Sequence, residues 1–206
     1  MPDQEPHEPT ADEASAPTRK RPKPGERRLQ ILQTLAAMLE QPGAERVTTA
    51  ALAAKIGVSE AALYRHFASK AQMFEGLIDF VDQSTMGLIR QVTDRDPPGP
   101  QQAGRIVALL FQFAEKNPGM SRVMIGDALV LEHERLQERI NLLFDKIEAQ
   151  LRQTLKTSDS TTPAADAQVT ASVLVAFMQG RLQRFARTGF KRLPSEHLQA
   201  ALARVL

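Results

Sequence analysis

The sequence has 206 residues, a formal net charge of +2 and 42% hydrophobic residues, which suits one large domain or two small ones with a packed core. It contains no cysteine, which excludes disulfides and thiolate metal sites and fits a reducing cytoplasm, and no apolar run approaches the roughly 18 residues of a membrane span. The first residues lack the charged-then-apolar order of a secretion signal, so none is expected.

Residues 1–18 carry Asp3, Glu5, Glu8, Asp12 and Glu13 and no Lys or Arg. Proline recurs there among small polar residues, and 1–24 reads as a disordered tail. Arg19, Lys20, Arg21, Lys23, Arg27 and Arg28 follow. They form either a phosphate-neutralising arm or a solvated charged face. A first helix is expected from about Glu26 to Glu40, with Leu29, Leu32, Leu35, Ala36 and Leu39 as its apolar stripe. Gln41-Pro42-Gly43 ends it.

Thr48 to Lys70 reads as two short helices joined by a tight turn. Thr48 or Thr49 can cap the first, since a Thr hydroxyl accepts from an orphan N–H of the first turn. Ala50, Ala53 and Ala54 favour helix, and Leu52 and Ile56 give a small buried face. Gly57 follows the helix, where a left-handed backbone favours glycine. Ser59 caps a second helix, from Glu60 to about Phe67. This spacing is a helix-turn-helix, whose second helix enters the DNA major groove. Leu63 and Phe67 share a face and anchor the second helix, while Ala61 and Ala62 allow close approach to a groove wall. Tyr64, Arg65 and His66 remain as the hydrogen-bonding set. Arg65 either binds guanine or pairs with Glu60 or Glu75. Ser69-Lys70-Ala71-Gln72 reads as a capping box whose free N–H groups, with Lys70, make a phosphate clamp.

A long fourth helix is expected from Lys70 to about Thr93, ended by the Pro97-Pro98-Gly99-Pro100 break. Gln101 to Lys116 forms a nearly all-apolar fifth helix, central to a second core. A short helix follows Asn117-Pro118-Gly119. Asp127 to about Thr157 reads as one long helix with Leu129, Leu136, Ile140, Leu143, Phe144, Ile147 and Leu151 in a near coiled-coil stripe. After a polar loop, Ala164 to Thr188 presents Val169, Val173, Leu174, Phe177, Met178, Leu182 and Phe185. A short helix from Ser195 to Leu206 closes the chain. Glu132-His133-Glu134 lacks the second histidine of a zinc protease, and no nucleophile elbow, P-loop or dinucleotide motif occurs. No catalytic site, metal or cofactor is expected.

The words SEAALYRHFASK and MFEGLIDF resemble the DNA-binding domain of the TetR family. ILQTLAAMLE, the KNPGM turn and RLQERINLLFDKIEAQLRQTL extend the likeness over roughly Glu26 to Lys191 and point to the nucleoid-occlusion branch of that family. The resemblance implies an all-α fold. It has an N-terminal three-helix helix-turn-helix domain at 25–72 and a C-terminal helical dimerisation and partner-binding domain at 73–206. It implies DNA contacts from Thr48, Thr49, Ser59, Ala61, Ala62, Tyr64, Arg65, His66 and Lys70. It implies a homodimer at the nucleoid in the cytoplasm, with double-stranded DNA and the tubulin-like division protein FtsZ as partners. Bound DNA would make such a protein an antagonist of FtsZ polymers, blocking septum formation over the chromosome. The FtsZ surface implied is Phe80, Leu109, Lys116 and Asn117. Leu109 also reads as core, and Leu88, Gln112 and the proline-rich DRDPPGP depart from the branch's pattern. The other reading of the same fold is a ligand-responsive transcriptional repressor.

Overall fold

The computed structural model describes residues 25–41, 47–156 and 164–206. The expected disordered tail, most of the basic cluster, the Pro42-Gly43 stop and the polar loop after α7 lie outside these residues. Every regular element among the described residues is helical.

Three helices make the head: α1 (Glu26–Leu39), α2 (Thr49–Ile56) and α3 (Glu60–Tyr64). Ile31, Leu35 and Leu39 of α1 are buried against Leu52, Leu63 and Phe67. The α1 stripe is therefore rotated from the expected one, and Leu29 is 55% exposed. Thr48, rather than Thr49, caps α2, its hydroxyl accepting from the Ala51 N–H at 3.1 Å. Gly57 ends α2 at φ 76°, ψ 42°, and the Gly57 and Val58 N–H groups close back on the last turn. The Ser59 hydroxyl accepts from the Ala62 N–H at 3.2 Å and starts α3. α3 ends at Tyr64 and not at Phe67. The His66 and Phe67 N–H groups both return to the Leu63 carbonyl, so the chain tightens there and Phe67 still reaches the core.

α4 (Lys70–Thr93) runs from the head through the rest of the molecule. The Ser69 hydroxyl caps it on Gln72, whose side-chain oxygen reaches back to the Ala68 N–H, one residue before the position a standard capping box uses. α5 (Pro100–Lys116) starts at the proline, one residue earlier than expected, because a proline at the first helical turn loses no hydrogen bond. It packs on α4, α6 (Pro118–Met124), α7 (Glu134–Leu155) and α8 (Ala164–Arg187), so it is central as expected. The long helix expected from Asp127 is interrupted. Residues Asp127–Leu129 form a single 3-10 turn, and α7 begins only at Glu134. Val130 and Leu131 are exposed in the gap, while the stripe from Leu136 to Leu151 is buried as expected. On α8, Leu174, Met178, Leu182 and Phe185 face the core, but Val169 and Val173 point outward. The last helix, α9 (Leu198–Leu202), is shorter than the expected one.

The head is seated on the rest of the chain by α1 against α6 and α4. Gly119 makes this seat possible, since a Cβ there would lie 2.1 Å from the Ala36 carbonyl oxygen.

Candidate nucleic-acid interface

The helix-turn-helix exposes one edge of α3. Ala61, Tyr64, Arg65 and His66 are exposed, and Ala62 is half-buried. Among the described residues, no hydrogen bond or ion pair engages the Tyr64, Arg65 or His66 side chains. The two acids within the sequence's reach of Arg65 are occupied. Glu60 accepts from the Thr49 hydroxyl at 2.6 Å, and Glu75 accepts from Arg135 at 2.8 Å. Arg65 thus presents a whole guanidinium to solvent. The same contact ties Thr49 to α3, so Thr48 and Thr49 both serve the motif's own geometry first. Ser59 does likewise as a cap.

Arg28 supplies a support that the sequence does not signal. Its guanidinium donates to the His66 carbonyl at 2.8 Å and stacks 4.0 Å from the Phe67 ring centre. It therefore fixes the end of α3 from α1 rather than standing as part of a free basic arm. Lys70, expected as a phosphate clamp, forms an ion pair with Glu132. The two residues are 62 positions apart, which no local pattern reveals.

Of the candidate partner residues, Phe80, Asn117 and Leu109 line two separate hollows. Phe80 is 45% exposed, and its ring lies 6.3 Å from that of Phe113. Asn117 donates to the Phe113 carbonyl at 2.7 Å. Phe80 and Asn117 together border an apolar hollow of about 300 Å³ with Leu29, Leu32, Ala36 and Met120. Leu109 is half-buried and belongs to a second cleft of about 460 Å³, shared with Gln91, Arg95, Arg105, Gln112 and Gln199. Arg105 is closed onto Asp96 at 2.7 Å on that cleft's rim. Lys116 is exposed and lines neither hollow. Among the described residues, no cluster of acids and histidines is arranged to hold a metal, and no helix is long and apolar enough to cross a membrane.

A capped helix-turn-helix head on a helical body defines the class of helix-turn-helix regulators. Residues 31–77 match the bacterial regulatory proteins of the tetR family, and residues 102–204 match the SlmA-like tetracyclin repressor-like C-terminal domain. The chain is 48% identical over 177 residues to the nucleoid occlusion factor SlmA of Idiomarina loihiensis, covering 84% of this chain and 90% of that one. It is 46% identical over 181 residues to the SlmA of Vibrio vulnificus, covering 86% and 92%. A TetR transcriptional regulator from Legionella pneumophila superposes with a TM-score of 0.70 at 13% identity, covering 89% of this chain and 98% of that one, which is a likeness of fold. The chain belongs to the TetR family, in the branch of the nucleoid occlusion factors SlmA. It is accordingly a DNA-binding protein and not an enzyme.

Proposed function

We propose that this chain is a nucleoid occlusion factor. It binds chosen sites on the chromosome and, while bound, antagonises assembly of FtsZ polymers, so that no septum forms over the nucleoid. The observation that carries this reading is the 46% and 48% identity to proteins of that name over most of both chains. Residues 25–72 form the DNA-binding unit. Tyr64, Arg65 and His66 read the groove, while Thr48, Thr49, Ser59 and Lys70 meet phosphates, and Ala61 and Ala62 let the helix approach. The exposed, unengaged edge of α3 supports this assignment. Residues 73–206 form the dimerisation and partner-binding unit. Val169 and Val173 sit exposed on α8, a face that a second copy would cover. Phe80, Leu109, Lys116 and Asn117 make the FtsZ surface, and the half-exposed Phe80 ring beside the Asn117 hollow supports it. Bound DNA selects the FtsZ-competent arrangement, a population shift between two sites. Such a protein resides in the cytoplasm on the nucleoid.

The test is sedimentation of GTP-assembled FtsZ with this protein, with and without DNA carrying a selected site. Loss of polymer that requires the DNA supports the reading. No effect while DNA is demonstrably bound overturns it. One observation favours a second reading, a ligand-responsive repressor: the cleft beside Leu109 is of a size that holds small ligands. Genomic footprinting separates the two, since scattered chromosomal sites belong to the first and one or two promoter operators to the second.

A further inference from the structure

Lys70 is the first residue of α4, directly after the recognition element, and the Glu132 carboxylate holds its ammonium. Glu132 comes from the turn between the 3-10 segment and α7, where its N–H donates to the Leu129 carbonyl at 2.9 Å. The side chains are 26% and 12% exposed, and the ammonium also lies 5.7 Å from the Phe74 ring centre. This is a built contact between the DNA end of α4 and the body.

Three more ion pairs join α4 to α7 itself. Glu75 meets Arg135 at 2.8 Å, Asp79 meets Arg139, and Asp82 meets Lys146 at 2.9 Å. In all three, α4 supplies the acid and α7 the base. At Lys70 and Glu132 the polarity is reversed. The three regular pairs bind α4 to α7 from about 7.5 Å to about 18 Å beyond Lys70. At the end that faces DNA, the cation stands on α4 and the acid comes from the body. A reversal at that one position has no packing cause among these contacts. It does have an electrostatic one, because an acid at position 70 would repel phosphate.

We propose that Glu132 sets the protein's DNA affinity by competing with a DNA phosphate for the Lys70 ammonium. This rests on the reading of Lys70 as a phosphate contact. An ammonium has three donors but a single charge, so a phosphate reaching Lys70 meets the Glu132 carboxylate within a few ångströms. Glu132 is largely shielded from water, and salt screens such a charge less than an exposed one. Linkage makes the effect reciprocal. Whatever draws Glu132 from Lys70 tightens DNA binding, and bound DNA loosens the turn that carries the exposed Val130 and Leu131.

The experiment measures Kd for a selected DNA site by fluorescence anisotropy, using the full chain. The proteins are wild type, Glu132→Gln, Lys70→Ala, the double variant, and Asp82→Asn as control. Asp82 loses an equal charge from the same ladder about 18 Å further along α4. Glu132→Gln should bind DNA about threefold to fivefold more tightly, the range a part-exposed ion pair supports. Lys70→Ala should bind more weakly, Glu132→Gln should change nothing in the Lys70→Ala background, and Asp82→Asn should match wild type. Thermal melts check that each variant is folded, and Glu132→Ala replaces Glu132→Gln if the latter does not fold. If Lys70→Ala weakens binding while Glu132→Gln leaves it unchanged or weaker, the competition is overturned and Lys70 stays a phosphate contact. If Glu132→Gln tightens binding equally without Lys70, or Asp82→Asn matches its gain, the effect is one of net charge and the competition is overturned. If Lys70→Ala leaves Kd unchanged, the phosphate contact itself is wrong and the competition falls with it.

Discussion

Gly119 of α6 lies against the Ala36 carbonyl of α1, so close that a Cβ would stand 2.1 Å from the oxygen. The next atom met is the carbonyl carbon at 3.0 Å, which is backbone and cannot swing aside. The head therefore sits on the body through a contact that only glycine allows. Gly119→Ala must push α1 away from α6. The expected result is a lower melting temperature and loss of DNA binding, with secondary structure retained, read by thermal circular dichroism and anisotropy. A variant with both properties unchanged would show that the seat has slack the distances deny.

Among the described residues no acid pairs with Arg65, and the nearby acids point elsewhere, Glu60 accepting from Thr49 and Glu75 from Arg135. The exposed Arg65 guanidinium would exchange water, and no protein partner, for a base edge. Arg65→Ala should cost about 1–3 kcal/mol of specific binding, the range of one bidentate base contact. Binding to scrambled DNA should fall much less, and the melting temperature should not move. Equal losses on specific and scrambled DNA would make Arg65 a phosphate contact instead.

Tyr64 and Lys70, both proposed DNA contacts, stand at opposite ends of the turn that links α3 to α4. Removing both side chains, as Tyr64→Ala with Lys70→Ala, should abolish specific binding and the division block together. A double variant that still binds its site normally would show that the recognition edge has been misplaced. The readout is anisotropy on the selected site beside the filament length of expressing cells.

The head was the most legible part of the chain because its signals are local. Ser59 capping Ala62, Gly57 in a left-handed turn and Leu63 with Phe67 on one face all act within a few residues. The body's core stripe on α7 was equally plain, since period alone placed Leu136 to Leu151. Three of the features that escaped have a clear physical reason. The break before α7 is invisible to periodicity, because Leu129 and Leu136 keep step across it while Gly126, at φ 77°, opens a 3-10 turn that does not continue. The rotation of α1 arose because Ile31 carries as much apolar surface as Leu29, and only packing chooses between them. The pairings of Arg28 with the His66 carbonyl and Lys70 with Glu132 join distant positions, and charge in a sequence does not name its partner.

Ser59 spends its hydroxyl on the Ala62 N–H at 3.2 Å. α3 has only 5 residues, so one lost cap is a large part of its local stability. Ser59→Ala should destabilise the head by about 1 kcal/mol. Ser59→Asp should restore it, since a carboxylate also caps, yet should weaken DNA binding by placing a negative charge beside phosphate. Denaturant melts and anisotropy on the three proteins separate the cap from the phosphate contact. Recovery of both properties by aspartate would remove Ser59 from the DNA surface.

Phe80 is the side chain that should separate the two proposed activities. Its ring is nearly half exposed yet touches Phe113, and it borders the hollow that Asn117 closes. It lies on α4 more than two turns from Lys70, outside the helix-turn-helix. Phe80→Ala deletes apolar area from the hollow without uncovering a buried polar group, and about 1 kcal/mol of stability is the expected cost for a side chain already half in water. DNA affinity should remain at the wild-type level. The DNA-dependent loss of FtsZ polymer in the sedimentation assay should disappear. A variant that loses DNA binding as well would mean that Phe80 holds the head in place, and the partner surface would then have to be sought around Leu109 and Gln112 in the other cleft.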